Sequence, residues 1–229
     1  MHFSIDRCGR KGERGFTLVE ILAAAAISMI LLSSIYIAIH SAQRSSAGME
    51  RKVTTQQDAR AGLELMVMEI RMASFNPTCA SGIWLGADQR YKGIQTATDS
   101  RIQVEMDLNQ NSTIGDANEN ITYNYEPSPN QRITRDTGGG PQPFLGDLPT
   151  RSSSRRVLRV VNDTLNVPIF SYFDGRGNLI PAANLPGAIP EIRMIGITLC
   201  VETNEIDPST GRPWSMVYSS RLIPRNHAY

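Results

Sequence analysis

The sequence predicts an α+β protein: one long N-terminal helix, membrane-spanning in its first half, packed through its second half on an antiparallel β-sheet head. Three observations predict it. Residues 16–39 form an apolar run whose only formal charge is Glu20, residues 41–75 continue without proline, and the chain after Pro77 changes to period-two patterning broken by turn residues. With 229 residues the chain is long enough to bury a real core, and one head is expected rather than two domains. The expected boundaries are a leader over 1–15, a transmembrane helix over 16–40, its continuation over 41–75 and a β-rich head over 76–229.

The 24 apolar residues 16–39 contain neither proline nor glycine. At about 1.5 Å per residue they reach roughly 36 Å, enough to cross a hydrocarbon core of about 30 Å with some tilt. Ahead of them stand Arg7, Arg10, Lys11 and Arg14 against Asp6 and Glu13. Those cations hold the N-terminus on the cytoplasmic side and place the head on the far side. The leader's surplus of 4 − 2 = +2, set against the formal net charge of +1, leaves the remainder near −1. A near-neutral chain gives no support for a nucleic-acid partner, which needs a basic face to displace counterions. The cluster Arg151, Arg155, Arg156 and Arg159 lacks interleaved aromatics for base stacking and reads as a solvated loop and strand edge.

The apolar run is longer than the 7 to 15 residues usual for the apolar core of a cleaved secretory signal. A plain signal anchor explains its hydrophobicity but not its carboxylate. An ionisable residue within a span costs about 2.5 to 3.5 kcal/mol at the membrane centre on insertion scales, which makes Glu20 a functional candidate.

The segment G-F-T-L-V-E at Gly15 to Glu20, after a short basic leader and before the alanine-rich span, resembles the signal of type IV prepilins and type II secretion pseudopilins. The resemblance implies that a prepilin peptidase cleaves between Gly15 and Phe16, that Phe16 becomes an N-methylated N-terminus, and that Glu20 is the assembly glutamate. Charge supports that role: a carboxylate in lipid is tolerable beside an opposite charge, and cleavage creates one at the Phe16 amine of a neighbouring subunit.

Beyond the span, Leu65, Met68 and Met72 recur at the spacing of an apolar stripe that can pack on a sheet, and the helix is expected to run to about Phe75, where Asn76-Pro77 stops it. The methionines read as core. Strands are expected at Arg101–Asp107, Glu119–Tyr125, Arg155–Val161, Ile169–Phe173, Ile192–Val201 and Ser215–Ile223, with turns at Pro127 to Asn130, Gly138 to Pro141, Asp174 to Asn178 and Asp207 to Pro213. A helix followed only by strands gives the α+β head. Met68 to Ala73, the run DLNQNSTIGDANENITYNY from Asp107, PIFSYFDGRGN from Pro168 and SSRLIPRN from Ser219 are similar to the PilW family of minor type IV pilins, with the J-type minor pseudopilin as a relative. That similarity implies other minor pilins, the major pilin and the inner-membrane assembly platform as partners, beside the inner-membrane lipid itself.

Candidate sites in the head are few. Asp107, Asn109, Asn111, Asp116 and Glu119 crowd hard oxygen ligands into one loop, so calcium is a candidate cofactor, although Ser112 and Asn118 stand where an EF-hand needs glycine and a bidentate glutamate. A solvated Asx-rich hairpin loop is the competing reading. With Cys8 in the leader, Cys79 and Cys200 remain as a possible disulfide or as two separate thiols. No nucleophile elbow, zinc-binding H-E-x-x-H or phosphate-binding loop is present, and only Asp174 and Glu191 offer even a candidate pair of carboxylates. The expected function is therefore a non-enzymatic minor pilin. A minor pseudopilin of type II secretion is the alternative, and a membrane-tethered periplasmic enzyme or ligand-binding domain is the rival of another class.

Overall fold

The computed structural model describes residues 15–146, 158–207 and 210–227. The expected leader to residue 14, with Cys8, and the arginines 151, 155 and 156 lie outside the described residues. The chain forms two compact units, Met1–Ala47 and Gly48–Tyr229. Helix α1 spans Leu18–Arg71, and in the first unit every described residue from Gly15 to Ser46 is exposed.

The second unit builds two antiparallel sheets around the C-terminal half of α1. Strands β1 (Ile94–Ala97), β2 (Arg101–Glu105), β3 (Asn120–Glu126), β4 (Arg132–Asp136) and β5 (Gln142–Leu145) make a meander in chain order. In the other sheet β8 (Met194–Asp207) is central. It pairs along one edge with β6 (Leu158–Val160) and β7 (Phe170–Phe173), and along the other with β9 (Arg212–Leu222). The short helix α2 (Asn162–Leu165) follows β6. Alternation fixes the registers: β3 buries Ile121, Tyr123 and Tyr125 and turns Thr122 and Asn124 outward.

The helix buries a different stripe from the one its methionines predict. Thr55, Ala59, Leu63, Met66 and Ile70 face the core at spacings of four, four, three and four, while Met68 is 60% exposed and Leu65 half-buried. Two contacts explain this choice of face. Gly62 lets β5 approach, since a Cβ there would lie 3.2 Å from Leu145 Cδ1. Glu69 accepts both guanidinium nitrogens of Arg135, Nη2 at 2.7 Å and Nε at 3.0 Å, and the hydroxyl of Tyr123, tying the flank of α1 to β3 and β4.

The helix also ends at Arg71 rather than Phe75, before Asn76-Pro77 can act. Ser74 adopts a left-handed φ of 65°, and its amide donates to Glu105 O at 2.9 Å, so the sheet captures the chain first. Its hydroxyl accepts from Gly93 N at 2.9 Å and meets His227 Nδ1 at 3.0 Å, while His227 Nε2 meets Ile189 O at 2.9 Å. A neutral imidazole satisfies every bond: Nε2–H donates to the carbonyl and Nδ1 accepts from the serine. Gly93 is required, because a Cβ there would stand 2.2 Å from Ser74 N.

Most expected strands are present with ends moved by a few residues, and β8 runs on to Asp207 as one arm of a long hairpin with β9. Strands β1, β4 and β5 were not expected. IQTA, RITRD and QPFL are short, and the last two lack the long apolar alternation that marks a strand.

Burial, helped by nearby Lys92 and Arg193, lowers the His227 pKa from 6.5 to about 4. Between those pH values the unfolded chain takes up a proton that the folded chain does not, so this contribution is complete above about pH 6.5 and is lost as pH falls towards 4. Denaturant titrations from pH 7 to 4 are expected to show a loss on the order of 3 kcal/mol from this group. The His227→Gln protein should have a shallower pH dependence; an unchanged slope would remove His227 from the account.

Candidate functional site

The N-terminal segment combines an apolar surface with one placed carboxylate. Thr17 precedes the first helical residue, Leu18, and Glu20 lies three residues on. The Thr17 hydroxyl accepts from Glu20 N at 3.3 Å, and Glu20 Oε2 accepts from Thr17 N at 2.8 Å and Thr17 Oγ1 at 3.0 Å. This reciprocal capping box satisfies two otherwise orphaned helix amides. Oε1 of Glu20 has no hydrogen-bond partner among the described residues. Gly15 and Phe16 precede the helix outside any regular element, and Phe16 is 85% exposed.

The segment that follows is suited to lipid. Hydroxyls of Ser33 and Ser34 return to the carbonyls of Met29 and Ile30 at 2.8 and 2.9 Å, so their polar groups are satisfied within the helix. α1 is long and apolar enough to cross a membrane, and its most apolar stretch has no covering from the rest of the chain.

In the head, the structure gathers all five expected calcium ligands into the loop between β2 and β3 but assigns their oxygens differently. Glu119 Oε1 accepts from the amides of Leu108 and Asn109, and Oε2 from those of Gly115 and Asp116. Asp107 takes the amides of Asn111 and Ser112, and Asp116 Oδ2 takes the side-chain amides of Asn109 and Asn111 at 2.7 and 2.9 Å. No group of three or more metal-ligating side chains is assembled among the described residues. In this arrangement the carboxylates brace the loop by binding its own donors.

Cys79 and Cys200, expected either as a disulfide or as two separate thiols, stand here as free thiols. Cys79 is an exposed free thiol in the turn after α1, at a left-handed φ of 53°. Cys200 is a buried free thiol on β8, on the face opposite Leu199 and Val201, where its amide donates to Asn162 Oδ1. The two sit on different elements, and burial raises the pKa of Cys200. Asp174 caps its own turn by accepting the amides of Arg176 and Asn178, while Glu191 is exposed in the turn before β8; no contact joins these two carboxylates among the described residues. Arg159 pairs with Glu202 at 3.3 Å.

The Ser74–His227 pair, which sequence reasoning missed, has the spacing of a nucleophile and base but not their setting. Both are buried, and the remaining imidazole nitrogen faces the Ile189 carbonyl instead of an orienting carboxylate. A lone histidine at position 227 gave no periodic signal by which to find it.

Residues 10–36 match the model of the prokaryotic N-terminal methylation motif. Neither a curated protein nor a solved structure matches the chain. An α+β pilin-like fold, with a long hydrophobic helix packed on antiparallel sheets, thus carries the methylation motif of type IV prepilins and pseudopilins. Over residues 10–36 the chain is similar to pilin- and pseudopilin-like subunits, and that motif implies processing by prepilin peptidase and anchoring in the inner membrane before assembly.

Glu119→Ala strands four loop amides and is expected to cost about 3 kcal/mol in unfolding free energy. Millimolar calcium should leave the melting temperature of the native protein unchanged. A calcium-dependent stabilisation that disappears in Glu119→Gln would favour the metal reading over the Asx-rich loop.

Proposed function

We propose that the chain is a minor pilin, similar to the PilW family, that joins or primes a type IV pilus after cleavage between Gly15 and Phe16. The observation that carries this reading is the bare apolar helix with Glu20 at its start, one carboxylate oxygen engaged in the cap and the other free. In this scheme the peptidase releases the leader, Phe16 is methylated on its new amine, and that cation meets Glu20 of a neighbouring subunit once the helices bundle out of water. The pairing also sets axial register, because only one stagger brings a carboxylate five positions into one helix beside the terminus of the next. Other minor pilins, the major pilin and the assembly platform are the partners. The same N-terminal features serve a minor pseudopilin of type II secretion equally well. A tethered enzyme or ligand-binding domain would need neither Gly15 nor Glu20.

Glu20→Ala separates an assembling subunit from a tethered enzyme or ligand-binding domain. Insertion survives because the span only becomes more apolar, and cleavage survives because Gly15 and its flanks are intact. Assembly fails, since the unpartnered amine in low dielectric costs about 3 to 5 kcal/mol. Comparing sheared surface filaments with membranes is expected to show the variant retained in the membrane; equal amounts in the filaments would refute the assembly role.

A further inference from the structure

The outer edge of β9 is free. Ten of the 11 residues of this strand pair with β8, all but Trp214, and no strand pairs with its other side among the described residues. Long edge strands are ordinarily blunted by lysines, prolines or bulges. Here the only proline is Pro213 at the second position, and the only register shift lies near the hairpin tip, opposite Glu202 to Ile206. From Ser215 to Leu222 the pairing with β8 is uninterrupted, which leaves a straight row of backbone donors and acceptors.

Beside that edge runs a groove of about 480 Å³, with Ser219 and Ser220 as one wall and α1 as the other. Ser219 is exposed and Ser220 half-buried, so successive residues with opposite orientations border the same space, as the rim of a strand does. The helical wall is apolar, formed by Leu63, Val67, Met68 and Met72. Met68, the residue that departs from its expected core position, stands here 60% exposed, and Val217 on the outer face of β9 is 62% exposed. An added strand would send alternate side chains over Met68 and over Val217, while the serines leave room for them.

We propose that this edge and groove take an extended segment of a neighbouring pilin-type subunit of different sequence as an additional β-strand. The inference rests on the filament reading under Proposed function. Subunits stacked in a polar filament are related head to tail, so different surfaces meet and β9 does not face its own copy. The edge demands an extended backbone, and the groove demands an apolar residue at every second position. On the α1 flank Arg60 and Arg71 bracket Glu64, two cations against one anion, so the segment carries a carboxylate at its border.

The test places a photocrosslinking amino acid at Met68 or at Ser219 in the full-length chain, with Arg101 on the other sheet as control, and irradiates cells producing filaments. Mass spectrometry of the crosslinked peptides is read in sheared filaments and in membranes. Both positions are expected to reach one and the same segment of another pilin-type subunit, and Arg101 is not. Crosslinks to β9 of a second copy, to lipid, or to nothing in both fractions would overturn the proposal. Met68→Glu, at an exposed position and therefore without a folding defect in a melting curve, is expected to reduce that crosslink from Ser219 on the order of tenfold; an unchanged yield would also overturn it. Absence of the wild-type chain from sheared filaments contradicts the filament reading instead, and the membrane crosslinks then still decide whether the edge is occupied.

Discussion

One helical stripe holds the second unit together. Ala59, Leu63, Met66 and Ile70 supply the helix side of a single apolar cluster that includes Ile102, Tyr123 and Ile133 from the first sheet and Ile195, Leu199 and Leu222 from the second. A helix offers such a surface only on one face, so the position of both sheets follows from which residues occupy it. Small residues at 59 and 62 bring the strands close, and the Glu69–Arg135–Tyr123 cluster fixes rotation about the helix axis. Burial raises the Tyr123 pKa, and the neighbouring Glu69 carboxylate that accepts its hydroxyl raises it further.

Carboxylates in the head are largely consumed by structure. Glu119 and Asp107 gather loop amides, Asp163 accepts from Tyr125 and Ser128, and Glu126 pairs with Arg132 at 2.7 Å. Each of these bonds closes within the head. Glu20 differs because one of its carboxylate oxygens stays open in a stretch where every neighbour is exposed and, Thr17 apart, apolar. The same chemistry thus serves folding in one unit and, on our reading, association in the other.

Much of this was legible in the sequence, for identifiable reasons. The span follows from length and composition, whereas the capping box of Thr17 and Glu20 emerged only from its geometry. Strands β2, β3, β7, β8 and β9 announced themselves by alternation. What escaped were features set by tertiary contact. The buried face of α1 was misplaced because Met68 is apolar yet lies beyond the reach of either sheet, and a glycine at 62 carries no hydrophobic signal. The helix end shifted because Ser74 is captured by Glu105 and His227, residues far away in sequence. In the β2–β3 loop the residues were correctly grouped, but composition does not tell whether a carboxylate faces a cation or a row of amides.

The central claim is that this chain is read by a prepilin peptidase and enters assembly through the new terminus. Intact-mass analysis of the protein purified from its native membrane tests that most directly. The account predicts a chain beginning at Phe16 with one methyl group on its amine. A mass that retains Met1, or one that begins at any residue other than Phe16, would contradict it.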